Sequence, residues 1–223
     1  GSSLDEGHHR LLELALGRLA WMLSCGTTTA EAKSGYGLSL GDELKQLATI
    51  RAAAAAQPVE LVPTLLAAHE VPDEYRHRRG AYLDLVCEEI VPAAAEQGLA
   101  RFCDVFCEKG VFSAAESRRV LAAGVRYGLL PRLHADEFVD SGGALLAAEL
   151  GAYSADHLMA VSPAGIDALA AAGVTALLLP VLGRGWRSRG YGMALAVAGA
   201  AAAPWLTIWP LLLYQQSPEL FQW

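Results

Sequence analysis

Apolar and polar positions along the first 180 residues alternate between a helical and an extended period, with turn-forming residues at each change. Leucines at 11, 12, 14, 16, 19 and 23 predict a helix with a broad apolar face, opened by a capping box of Ser3 and Glu6 and closed at Gly26. Thr27 to Lys33 reads as a strand. Asp42 to Ala56 reads as a helix that turns Leu44, Leu47 and Ile50 inward, and Val59 to Ala67 as the next strand. Tyr82 to Glu96 is helical with a kink or early break at Pro92, and Phe102 to Phe106 is extended. Ser113 and Glu116 form a second capping box that opens a helix to about Tyr127. Leu129 to Leu133 follows as a strand with His134 at its tip, and Ala144 to Leu150 as a helix. Tyr153 to Asp156 is a short strand ending at His157, after which Ser162-Pro163 caps a helix that stops at Gly173. Val174 to Leu179 is aliphatic enough to predict a strand buried on both faces of a parallel sheet. The repeated order predicts βα units around about six parallel strands.

Composition narrows the class. A chain of 223 residues holds one barrel-sized domain or two small ones, and its net charge of -7 argues against a nucleic-acid partner. Cys25, Cys87, Cys103 and Cys107 contain no C-x-x-C pair, and the first thirty residues lack the basic-then-apolar pattern of a secretory signal. Reduced thiols in the cytoplasm follow as the expectation. Cys103 and Cys107 lie four apart in an extended segment and read as core rather than ligands.

The chemistry concentrates where strands are expected to end. Lys33 and Tyr36, His69, Glu108, His134 with Glu137, and Asp156 with His157 all fall at or just past such ends. In an α/β barrel those ends converge on one face. His134-Ala135-Asp136-Glu137-Phe138 is the densest group, and a neutral imidazole there suits zinc or iron. Glu137 is the candidate for proton transfer, and His157 for orienting water or stabilising developing charge. Lys33 is expected to pair with a nearby carboxylate, while the glycines around Tyr36 in Ser34-Gly35-Tyr36-Gly37 predict unusual backbone angles or close approach to a ligand.

Five segments carry a resemblance: Thr27-Thr28-Thr29-Ala30-Glu31-Ala32-Lys33-Ser34-Gly35-Tyr36-Gly37-Leu38, Ala67-Ala68-His69, Cys103-Asp104-Val105-Phe106-Cys107-Glu108, His134-Ala135-Asp136-Glu137-Phe138 and Ser154-Ala155-Asp156-His157-Leu158. Together, and in this order, they resemble imidazolonepropionase of the amidohydrolase superfamily over roughly residues 4 to 180. The resemblance implies an α/β fold, a partial (β/α)8 TIM-type barrel lacking the first and last strands. It implies hydrolysis of 4-imidazolone-5-propanoate to N-formimidoyl-L-glutamate in histidine degradation, with one Zn or Fe ion. Residue by residue, it implies His134 as metal ligand, Glu137 and His157 as catalytic groups, and Tyr36, His69 and Glu137 as substrate contacts. The implied partner is the small-molecule substrate, with no nucleic acid, no membrane and room for a homo-oligomer.

Two features of the family pattern are missing. The chain contains no His-x-His pair and no Thr-Asp-x-Asn-Pro-Gly segment, so that one metal ligand remains and the chain alone is expected to be inactive. Residues 1–180 are read as the partial barrel, and 181–223 as a divergent apolar tail. Gly190 to Pro218 is uncharged and follows three arginines, which fits a membrane span, but Pro204 and Pro210 interrupt it. A shifted reading frame or truncated gene is the favoured origin of that tail. The alternatives to the hydrolase are a non-catalytic remnant or membrane-attached binding protein, and an amidohydrolase acting on another cyclic amide.

Overall fold

A computed structural model describes residues 6–178. The expected capping box at Ser3 and the tail 181–223 lie outside the described residues. Seven helices and six strands alternate among the rest: α1 Glu6–Ser24, β1 Thr29–Lys33, α2 Leu40–Ala56, β2 Glu60–Ala68, α3 Arg79–Leu85, α4 Val91–Glu96, β3 Phe102–Cys107, α5 Ala114–Arg126, β4 Leu130–Ala135, α6 Gly143–Glu149, β5 Ser154–His157, α7 Pro163–Ala172 and β6 Thr175–Leu178. Every pairing is parallel and the strand order is β1-β2-β3-β4-β5-β6. A doubly wound sheet reverses its order at a switch point, whereas a barrel adds each strand beside its predecessor. Here the order never reverses.

The curl of this sheet follows from one side chain. β1 and β5 are four strand spacings apart, roughly 19 Å in a flat sheet at ~4.8 Å per spacing. Lys33 Nζ on β1 nevertheless lies 3.1 Å from Asp156 Oδ2 on β5, and 2.6 Å from Asp104 Oδ2 on β3. Only a sheet rolled toward closure brings these together, so the six strands form part of a TIM-type barrel with Lys33, Asp104 and Asp156 inside it. Alternate strands supplying one interior layer is the barrel's own packing rule.

The opposite face of each strand carries the apolar core. Cys103, Val105 and Cys107 of β3, Leu133 and Ala135 of β4, and Ala155 of β5 are buried in one cluster with Val120 and Leu121 of α5 and Leu146 and Ala147 of α6. Cys103 and Cys107 thus share the helix-facing side, as core. Gly124 lets α5 sit close to β3, because a Cβ there would lie 2.7 Å from that of Cys103. The Ser113 and Glu116 capping box is formed, as expected.

Three expectations change. The broad apolar face of α1 is narrower in fact: Leu12, Ala15, Leu16, Leu19 and Met22 pack beside Ala53 and Val59, while Leu11, Leu14, Trp21 and Leu23 are exposed. A helix lying on one neighbouring layer buries one stripe, whatever the number of its leucines. The kink at Pro92 is a π turn over Val86–Ile90 between α3 and α4, with Pro92 in the first turn of α4. Widening the turn accommodates a ring that cannot donate a hydrogen bond to the preceding turn and would clash with it. β6 is a strand, but Thr175 and Ala176 are exposed rather than buried on both faces, since β5 is its one neighbour among the described residues.

One irregularity in β2 shapes the site. Its register with β3 slips between Leu65 and Ala68, so that Leu66 and Ala67 oppose a single residue. The buried Tyr82 hydroxyl donates to the Ala67 carbonyl at 2.7 Å and so satisfies a group at the bulge. Burial, with Glu43 nearby, raises the Tyr82 pKa and keeps the phenol a donor. Tyr82→Phe is expected to lose about 1–3 kcal/mol, the cost of a buried carbonyl without its partner. Urea unfolding should show a lower midpoint with an unchanged slope.

Candidate functional site

Charged and polar side chains at alternating positions of five strands fill the barrel interior. Glu31 and Lys33 of β1 share a face, as do Arg132 and His134 of β4, and Ser154 and Asp156 of β5, because strand side chains repeat every second residue. Deeper down, Glu31 Oε1 accepts from Thr64 Oγ1 at 2.5 Å and pairs with Arg132 Nη1 at 2.7 Å. The Arg132 guanidinium lies 3.9 Å above the centre of the Phe102 ring. Nearer the strand tips, Lys33 Nζ touches Glu31, Asp104 and Asp156. Burial works against the charge on Lys33, but Asp104 and Asp156 outweigh it and raise the pKa of the ammonium.

Asp104 is the centre of this group. It is fully buried, its Oδ1 accepts from the Val105 amide at 2.7 Å, and its Oδ2 lies 2.9 Å from His134 Nδ1 as well as beside Lys33. The approach to His134 is close but bent away from the ring N–H axis, short of a well-aligned hydrogen bond. Burial would raise the Asp104 carboxyl. His134 and Lys33 overcome that and hold it at about 2. The same contact raises the His134 imidazole against the effect of its own burial.

Above this layer the strand tips bend sharply. Asp136, His157 and Leu158 all have positive φ, at 49°, 69° and 57°, which side chains other than glycine rarely adopt. Asp136 is not a reacting group: fully buried, it accepts from the amides of Ser141, Gly143 and Ala144 at 2.8, 3.0 and 2.9 Å, tying the loop after β4 to the start of α6. Glu108, at the tip of β3, holds the same loop by accepting from the Phe138 amide and the Ser141 hydroxyl. Burial opposes the Glu108 charge, yet these donors lower its pKa. The loop so pinned presents Glu137, whose Oε1 lies 3.6 Å from His157 Nδ1.

Five rings line the mouth. His134 and His157 are centred 5.1 Å apart, His69 and His134 6.2 Å, and Phe106 stands 5.9 Å from His134. Tyr36 meets His69 edge-on at 4.7 Å. Burial and the neighbouring His134 lower the His69 pKa, which leaves that imidazole neutral near pH 7. The loop bearing Tyr36 is anchored by buried Glu43, which accepts from the amides of Gly37 and Leu38. Gly35, with φ of 126°, approaches the backbone of Leu66, and a Cβ on Gly37 would strike the start of α2. Those glycines serve close packing of protein on protein. Tyr36, His69, Arg76, Arg79 and Phe106 border a cleft of about 470 Å³ beside these rings.

All five residues singled out from sequence, Tyr36, His69, His134, Glu137 and His157, therefore meet in one region. In the layer beneath, Lys33 and Asp156 are strand-end groups expected from sequence and Lys33 pairs with carboxylates as expected, but the sequence reading missed Asp104. Asp104, His134 and Asp156 each offer a ligand atom within 4.8 Å of the others, a group that could hold a metal ion. The donor set, one imidazole and two carboxylates, suits a divalent cation. Lys33 already engages both carboxylates, so His134 is the member best placed to turn toward an ion. The available signal was the single charged residue, Asp104, inside the otherwise apolar run of β3, and the spacing of Ser154 and Asp156 two apart in β5.

No family model matches the chain. It is similar to the imidazolonepropionases of Symbiobacterium thermophilum (59% identical over 171 residues), Myxococcus xanthus (56% over 170) and Brevibacillus brevis (52% over 173). These matches cover 76%, 76% and 78% of this chain and 40%, 40% and 41% of those proteins. The resemblance read from the motifs is thus borne out, and the chain spans about two fifths of the length of the curated relatives it matches. Among solved structures, an A. niger ochratoxinase aligns with 86% of this chain and 51% of that one, at 14% identity and a TM-score of 0.49. The fold therefore rests on the strand order and the contacts described above. Among the described residues no helix is long and apolar enough to cross a membrane.

The Asp104 carboxyl is depressed in the folded state, so its contribution to stability is present above the unfolded value of about 3.9 and is lost as pH falls toward about 2. Lys33→Met leaves two facing carboxylates without their shared cation. The expected result is a loss of about 3–5 kcal/mol at pH 7 and acid unfolding that begins at a higher pH than in the parent chain, read by circular dichroism across a pH series.

Proposed function

We propose that this chain forms the substrate- and proton-handling part of an imidazolonepropionase, which adds water to 4-imidazolone-5-propanoate and yields N-formimidoyl-L-glutamate. The observation that carries the reading is the contact between Glu137 Oε1 and His157 Nδ1, with His134 beside them, joining two motifs twenty residues apart. The reading puts the reaction in the cytoplasm, in keeping with four free cysteines.

In this reading His134 is the ligand that this chain offers to a zinc or iron ion. Bound there, the ion would supply Lewis-acid activation of water near neutral pH. The chain's own residues do the rest. Tyr36 and His69 hold the substrate against the mouth of the barrel, His69 as a neutral hydrogen-bonding ring. Glu137 takes a proton from the attacking water as its oxygen bonds to the ring carbonyl carbon. It then delivers that proton to the ring nitrogen as the C–N bond breaks, so that one water is consumed and the carboxylate is restored. His157, oriented by Glu137, stabilises the charge that develops on the carbonyl oxygen. Because Glu108 and Asp136 pin the loop bearing Glu137, that carboxylate is positioned before substrate arrives.

The test is a chimera in which residues of this chain replace the matching segment of the Symbiobacterium thermophilum relative. The chimera is expected to hydrolyse 4-imidazolone-5-propanoate, and Glu137→Gln within it to lower kcat by about 10²–10⁴-fold with a smaller change in KM. A folded, metal-loaded chimera without hydrolytic activity would overturn the reading, and unchanged turnover in the Gln variant would remove Glu137 from the mechanism.

A further inference from the structure

The interior ion pairs assign a role to Asp104 that goes beyond the reading above, though it rests on His134 as the ligand. We propose that Asp104, anchored by Lys33, is a positioning residue that keeps the His134 proton on Nδ1 and so leaves the lone pair of Nε2 for the metal. Two arrangements of the three donors compete. In one, Asp104, His134 and Asp156 bind the cation directly; in the other, Lys33 is the resident cation of both carboxylates and His134 alone faces the ion.

The contacts favour the second. Both Asp104 oxygens are engaged, Oδ1 by the Val105 amide and Oδ2 by Lys33 Nζ at 2.6 Å and, in a bent approach, by His134 Nδ1 at 2.9 Å. Asp156 is similarly used, with Oδ2 at 3.1 Å from Lys33 and Oδ1 accepting from the Ser154 hydroxyl at 3.3 Å. It is Nδ1 of His134 that lies against Asp104, which leaves Nε2 as the nitrogen turned away from the carboxylate. A carboxylate against one ring nitrogen fixes the tautomer and raises the ligand strength of the other. Lys33 adds a reason for the aspartate to stay: a buried carboxylate with one imidazole as partner would be costly, whereas the ammonium balances it. Lys33 thus acts at one remove, on the residue that acts on the ligand.

The decisive readout needs neither substrate nor activity. Long-range ¹⁵N–¹H correlation spectra of the full chain, labelled at histidine and recorded above the titration of His134, report which ring nitrogen carries the proton. The expected result is Nδ1–H in the parent chain and a shift toward Nε2–H, the form a free imidazole prefers, in Asp104→Ala. Zinc binding by the chimera described above, carrying the same substitution, should weaken by about 10–100-fold. Finding Nε2–H in the parent chain overturns the proposal, even if Asp104→Ala does not fold. Lys33→Met separates the two arrangements. It should bind zinc no more tightly than the parent, whereas tighter binding would mean that the freed carboxylates are themselves ligands. An inactive chimera with the expected tautomer would count against the proposed reaction and leave this assignment standing.

Discussion

The ammonium of Lys33 is the constraint on which the rest of the interior depends. It reaches from β1 to β3 and β5, and it neutralises two carboxylates that could not otherwise lie side by side in a space from which water is largely excluded. The rolled sheet brings Lys33 to both carboxylates, and with His134 it keeps Asp104 ionised against the effect of burial. Buried ion pairs of this kind are often no more stabilising than an apolar filling of the same volume. The upper edge of these charges is the floor of the candidate site.

That division into floor and rim explains the roles of the acidic residues. Glu31 and Asp104 are spent on the interior cations. Asp136 is spent on backbone amides of one loop, between Ser141 and Ala144, and Glu108 on the Phe138 and Lys109 amides and the Ser141 hydroxyl. Glu137 alone among the carboxylates of that loop's neighbourhood meets another ring of the candidate site. The side chains at the rim are therefore held in place by residues that lie beneath or behind them.

Much of this was legible in the chain. Helical and extended periods located all six strands within a few residues, and the polar tips pointed to His69, His134, Glu137 and His157. Tip positions are visible because polarity interrupts an apolar run. The interior layer was harder to see, since Asp104 lies between Cys103 and Val105 in a buried strand and its partners are 71 and 30 residues distant in Lys33 and His134. Periodicity reveals that Asp104 faces away from the cysteines, but not what it faces. The bulge in β2 left no clear trace either, because Leu66 and Ala67 suit a regular strand as well as an irregular one.

The strictly sequential strand order has a consequence for how such a chain is made. Each strand finds its hydrogen-bonding neighbour one βα unit away, so pairing can advance from β1 onward while the chain is still emerging, with little loop entropy to overcome at each addition. The bond from Lys33 to Asp156 is different, for it spans 123 residues and must wait for the fifth strand. The shorter bond to Asp104 needs only the third strand, 71 residues on. The interior charge cluster is thus complete only once the fifth strand is in place, and that strand also brings His157 to the candidate site.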